Sequence, residues 1–95
     1  MRISEDEMRH IKESFALLFG EGEVYLFGSR TDDSLKGGDI DLFLIPQNKE
    51  FLYDKKIKFL VLLDELIGEQ KIDIVLQEDN NRPIEKMAMK TGIRL

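Results

Sequence analysis

The sequence predicts an α/β fold of the α+β kind, in which a small mixed sheet of about three strands carries helices packed on one face. Helical and extended hydrophobic patterns follow one another in the order α-β-β-α-β-α. A length of 95 residues with 42% apolar content fits one domain over residues 1–95. A domain of this size is marginally stable alone, which favours an oligomer or a complex.

Local signals bound each predicted element. Ser4 and Glu7 form a capping-box pattern ahead of the first helix, and Gly20 and Gly68 stop the first two helices. Pro46 closes the second strand. The predicted elements are a helix over residues 5–19, strands over 24–27 and 40–45, a helix over 49–67, a strand over 71–77 and a last helix that ends near Gly92.

The order of these elements predicts the sheet topology. A strand, a helix and a strand in succession usually form a parallel crossover, so the second and third strands are expected side by side and parallel. The first strand can pair with the second through the loop between them. The uncovered face of the sheet is where chemistry is expected.

Composition excludes several classes of function. Nineteen acidic and 14 basic side chains give a net charge of −5, which disfavours nucleic-acid binding by bulk electrostatics. With no cysteine and one histidine, the chain lacks disulfides, thiolate zinc sites and a Cys-His pair, so a metal ion must be held by oxygen. The acidic start and a longest apolar run of five residues, Phe59 to Leu63, predict a cytoplasmic protein with no membrane segment.

Three aspartates are the candidate metal ligands. Asp39 and Asp41 lie two residues apart on the second strand, so their side chains share a face. Asp73 lies near the start of the third strand and comes level with them if the two strands are parallel; antiparallel pairing would separate them. Three carboxylates without histidine or thiol suit Mg²⁺ or Mn²⁺. Each acid alone is more simply a solvated side chain on a half-exposed strand.

A turn after the first strand is the candidate phosphate site. Gly28 allows a tight turn, and the Ser29 hydroxyl, the Arg30 guanidinium and exposed backbone N–H groups can face phosphate oxygens. Gly-Ser-Arg alone is a weak signal. Its conjunction with the acids on two further strands is what favours a functional site.

The motifs YLFGSR and DIDLFLI, with nine residues between Ser29 and Asp39, resemble the signature of the DNA polymerase β nucleotidyltransferase superfamily. The segment KIDIV is similar to the strand that carries the family's third acid, and the short chain resembles the minimal nucleotidyltransferases. The resemblance implies the nucleotidyltransferase fold and Mg²⁺-dependent transfer of a nucleotide, with ATP or another nucleoside triphosphate as substrate. It also implies that Asp39, Asp41 and Asp73 hold two ions and that Ser29 holds the triphosphate.

The resemblance also suggests an acceptor. Minimal nucleotidyltransferases are often paired with a small helical HEPN protein, a toxin that they neutralise by nucleotidylation, so an antitoxin role is the leading expectation. An antitoxin that only masks its partner is the first alternative, because Thr31, Asp32 and Asp33 stand where minimal members often have a second basic residue, for which Lys36 is the candidate replacement. Transfer to a small molecule ranks last, since it usually requires a further binding domain.

Overall fold

The computed structural model of the chain describes residues 3–28, 39–68, 70–77 and 82–95. Three helices and four strands lie within these ranges. In chain order they are α1 (Glu5–Phe19), β1 (Gly22–Phe27), β2 (Ile40–Pro46), α2 (Leu52–Ile67), β3 (Ile72–Leu76), α3 (Pro83–Thr91) and β4 (Ile93–Arg94). The α+β fold class is confirmed, with one strand more than expected.

The strands form one mixed sheet in the order β3-β2-β1-β4. β1 runs antiparallel to β2, and β2 runs parallel to β3, so the predicted parallel crossover through α2 is confirmed. The parallel register places Asp41 opposite Asp73 and Ile40 opposite Ile72. The starts of β2 and β3 therefore lie level with each other.

Helices α1 and α2 cover one face of the sheet. Every second strand residue points to this face, as the two-residue strand period requires. Phe19 of α1 meets Phe59 of α2 edge-on, with ring centroids 5.8 Å apart. The buried core between these helices and the sheet consists of Ile11, Phe15, Phe19, Val24, Leu26, Ile40, Leu42, Leu44, Phe59, Leu63, Ile74 and Leu76.

Helix α3 lies on the opposite face, which corrects the expectation that all helices share one face. Ala88 is fully buried there with Phe27 and Phe43, and Tyr25 and Val75 pack around them. The alternate strand positions are thus apolar too, and their burial requires a cover on this side. Asp41 and Asp73 share the face by the strand period, but α3 covers only its apolar part.

Several element limits differ from the expected ones: β1 begins at Gly22 rather than at residue 24, and β3 spans Ile72–Leu76 rather than residues 71–77. The first helix has its predicted limits, and both capping-box hydrogen bonds are present, from Glu7 N to Ser4 Oγ at 3.0 Å and from Ser4 N to Glu7 Oε1 at 2.9 Å. Helix α2 begins later than predicted, because Asn48 accepts a hydrogen bond from Glu50 N at 2.8 Å and forms a turn instead. The short strand β4 was not predicted.

Among the described residues, no helix is long and apolar enough to cross a bilayer.

Candidate active site

Asp41 and Asp73 form the centre of the candidate site. They are direct partners in the parallel register, on strands about 4.8 Å apart. Both follow a buried residue, Ile40 or the core-packed Ile72, so both point away from α1 and α2. The expected proximity of these two acids is confirmed, and it depends on the crossover having brought β3 alongside β2 in parallel.

Asp41 experiences the negative charges of both other acids. The pKa of Asp41 is raised above its usual range, first by burial and then by the negative charges of Asp73 and Asp39 and by a hydrogen bond with Asp73. Burial and the neighbouring charges thus disfavour the ionised form of Asp41, and a cation bound beside it would relieve the repulsion.

Asp39 is engaged by a lysine. Its Oδ2 lies 3.3 Å from Nζ of Lys71, and Lys71 O accepts a hydrogen bond from Ile40 N at 3.0 Å. Within the described ranges, no group of three or more acids or histidines is arranged to hold a metal ion. The topology brings Asp39, Asp41 and Asp73 to the same end of the neighbouring strands β2 and β3. The carboxylate of Asp39, however, is directed to Lys71.

Gly28 is placed against this acid pair. Its φ of +76° is a left-handed conformation that glycine adopts without strain. A Cβ atom built on Gly28 would collide with Oδ2 of Asp41. Both facts explain why glycine ends β1 here. Ser29, Arg30 and residues 31–38 lie outside the described residues, so the predicted phosphate contacts of Ser29 and Arg30 stay a prediction, as does the replacement by Lys36.

Lys71 is the residue of this site that the sequence interpretation missed. A signal for it was present, because Lys71 and Asp73 alternate with Ile72 at the two-residue spacing of a strand. That spacing places the ammonium and the third acid on one side of β3. A lysine is common at a strand end, and only the paired register shows that it reaches Asp39.

A cavity of about 570 Å³ lies at the other end of the same sheet face, beside α3. At least three of its lining residues already have partners. Glu23 pairs with Arg94 at 3.1 Å, and Gln77 accepts a hydrogen bond from Lys49 at 3.1 Å. Glu85 also lines it and pairs with Arg82. The acid pair, rather than this cavity, has the electrostatics of a reactive site.

Comparison with protein families matches residues 9–95 to the family described as Polymerase beta, Nucleotidyltransferase. The chain belongs to this polymerase β nucleotidyltransferase family. Comparison with curated proteins gave no match. The family and the observed α+β fold agree, and membership supports nucleotidyl transfer as the general activity. The match also covers Asp39, Asp41 and Asp73.

Proposed function

We propose that the chain is an Mg²⁺-dependent nucleotidyltransferase that moves a nucleoside monophosphate, AMP from ATP in the leading case, to a hydroxyl group of a partner protein. The observation that carries the proposal is the register of Asp41 opposite Asp73, which places the two acids side by side near the starts of two neighbouring parallel strands. Family membership supports the reaction class. The metal ion and the acceptor are parts of the proposal.

The donor set fits a hard divalent cation. Asp41 and Asp73 offer carboxylate oxygens side by side, and the charge repulsion that raises the pKa of Asp41 would be relieved by a positive ion. Mg²⁺ commonly takes one or two protein carboxylates and completes its shell with water and phosphate oxygens. Asp39 would join the set on leaving Lys71. A bound ion would neutralise triphosphate charge and lower the pKa of the attacking hydroxyl.

The acids of this chain then have separate tasks. The acceptor oxygen attacks the α-phosphorus and forms a new P–O bond, while the bond from that phosphorus to the β-phosphate oxygen breaks and pyrophosphate leaves. Asp73, at the open edge strand of the described sheet, would take the proton of the acceptor hydroxyl. Asp39 and Asp41 would orient the triphosphate through the metal. Gly28 keeps Asp41 accessible by having no side chain.

The acceptor in this proposal is a small helical HEPN protein, which would make the chain an antitoxin that modifies its toxin. This part rests on the resemblance to minimal nucleotidyltransferases. A second candidate is an antitoxin that masks the toxin without modifying it. The observation that favours masking is the Asp39–Lys71 ion pair, which leaves the described residues without a group of three acids arranged for a metal ion.

The test uses the purified chain, Mg²⁺, each of the four nucleoside triphosphates in turn, and the product of the adjacent reading frame, which this proposal expects to be a short helical protein. Mass spectrometry is expected to find one or more added nucleotides on that protein. Asp41→Asn should abolish the addition. Absence of the addition with all four nucleotides, together with full toxin neutralisation by Asp41→Asn, would establish masking instead.

A further inference from the structure

We propose that Lys71 is a built-in competitor of the metal ion: its ammonium holds Asp39 in the metal-free enzyme and moves to the nucleotide phosphates when the ion binds. This inference rests on the proposed function and adds a positioning residue to it. The observation behind it is the position of the Lys71 ammonium at the carboxylate that completes the predicted ligand set.

The backbone fixes where Lys71 stands. The residue directly precedes β3, and the hydrogen bond from Ile40 N to Lys71 O ties it to the start of β2. Asp39 directly precedes β2 in the same way. The two residues therefore face each other across the parallel strands, two residues before the pair formed by Asp41 and Asp73.

The charges around Lys71 are those that a metal ion would experience. Its pKa is raised first by the hydrogen bond with Asp39, then by the charge of Asp39, and further by the charges of Asp73 and Asp41. All three predicted metal ligands thus attract one ammonium. In the metal-free enzyme this ammonium supplies part of the positive charge that the acids require.

The ion pair is suited to being displaced. The side chain of Lys71 is 73% exposed and that of Asp39 is 36% exposed, and exposed ion pairs of this kind are weak. A divalent ion interacts with the same carboxylates with twice the charge. Lys71 therefore lowers the affinity for the ion without blocking it.

A released Lys71 has a clear second partner. Lys71 lies just before β3, an edge strand of the described sheet, and its side chain is long and flexible. Lysine binds phosphate as a mobile point charge. The triphosphate would lie against the metal ion and hence within reach of this stem. Lys71 should therefore oppose the ion when it binds alone and assist it when it arrives with nucleotide.

The test measures the two binding steps separately in Lys71→Met. Mn²⁺ alone is titrated and followed by the electron paramagnetic resonance signal of the free ion. An ATP analogue with a non-cleavable α–β linkage is then titrated by calorimetry at saturating Mg²⁺. We expect Mn²⁺ to bind roughly three- to tenfold more tightly and the analogue roughly three- to tenfold more weakly than in the original chain.

Two variants serve as controls. Lys58→Met removes the same charge from an exposed position of α2, on the other side of the sheet, and should change neither affinity appreciably. Lys71→Arg keeps the charge and should retain most of the nucleotide affinity. Opposite shifts in Lys71→Met are a result that a merely structural role of Lys71 would not produce.

Three results would overturn the inference. Mn²⁺ affinity that is unchanged or weaker in Lys71→Met would show that the ammonium does not compete. Equal shifts in Lys58→Met would show an effect of net charge alone. The third result is failure of the original chain to bind Mn²⁺, or equally tight binding by Asp41→Asn; either outcome would overturn the proposed metal-dependent function as well. The first two results would overturn the inference about Lys71 alone, so the two kinds of failure can be told apart.

Discussion

At the scale of single residues, the site depends on acids held closer than their charges favour. The ionised form of Asp41 is disfavoured, since its pKa is raised by burial and by the acids around it. This arrangement would favour a bound cation, and without one it destabilises the folded state whenever Asp41 is ionised. The energetic consequences can be measured by changing one atom of the side chain.

Asp41→Asn is expected to stabilise the metal-free protein at neutral pH. The pKa of Asp41 in the folded state lies above its ordinary value of 3.8. The folded state therefore loses stability as the pH rises from 3.8 to the folded-state pKa, and the loss persists at higher pH. The asparagine variant has no such loss. Thermal melting with a chelator from pH 3.5 to 8 should show a gap in favour of Asp41→Asn that opens with rising pH and then levels off. A gap independent of pH would refute the assignment.

Gly28→Ala should destabilise the fold more than a glycine replacement that causes strain alone. Gly20 is the matched control, because its φ is +78° and nothing lies within 4 Å of an added Cβ, whereas at Gly28 the methyl group meets Asp41. We expect losses of about 1 kcal/mol for Gly20→Ala and about 2 kcal/mol or more for Gly28→Ala in urea unfolding. Equal losses would mean that the Asp41 carboxyl group turns away from the added methyl group without a measurable cost.

At the scale of elements, the signals that predicted the structure are local and strong. The capping box predicted the start of α1 and Gly20 predicted its end, and the crossover rule predicted that β3 lies parallel to β2. The late start of α2 depends on the side chain of Asn48, and β4 is too short to have a periodic pattern. The face covered by α3 depends on which strand side chains remain uncovered, which is settled only when the sheet is assembled.

The placement of α3 can be tested at its packing centre. Ala88 is fully buried against Phe27 and Phe43, so Ala88→Leu should overpack this layer and cost about 1 to 3 kcal/mol in the free energy of unfolding. Met87→Leu, at a position 50% exposed, should be close to neutral in the same denaturant titration. A neutral Ala88→Leu would show that α3 does not pack on this face.

At the scale of the whole molecule, topology accounts for the site. Asp41 and Asp73 are separated by α2 in sequence and become neighbours because the chain crosses over and returns in parallel. Two predicted ligands could thus be placed together from the order of elements. The ion pair between Asp39 and Lys71 could not be predicted from that order, since it depends on side-chain directions at the starts of two strands. The roles of Ser29 and Arg30 stay predictions.

Binding of a divalent ion should stabilise the whole fold, because the folded state alone gathers the acids. At Mn²⁺ concentrations about ten times the dissociation constant, the melting temperature is expected to rise by about 5 to 10 °C for a domain of this size. The same concentration should have little effect on Asp41→Asn. A rise of equal size in the variant would place the ion elsewhere on the chain.

The most direct test of the central claim is a crystal structure of the chain with Mn²⁺ and the non-cleavable ATP analogue, with the metal located by its anomalous scattering. The account predicts an ion about 2.0 to 2.2 Å from carboxylate oxygens of both Asp41 and Asp73, with Asp39 turned away from Lys71 and the triphosphate on the same side. Manganese bound at another place, with no ion between the carboxyl groups of Asp41 and Asp73, would contradict it.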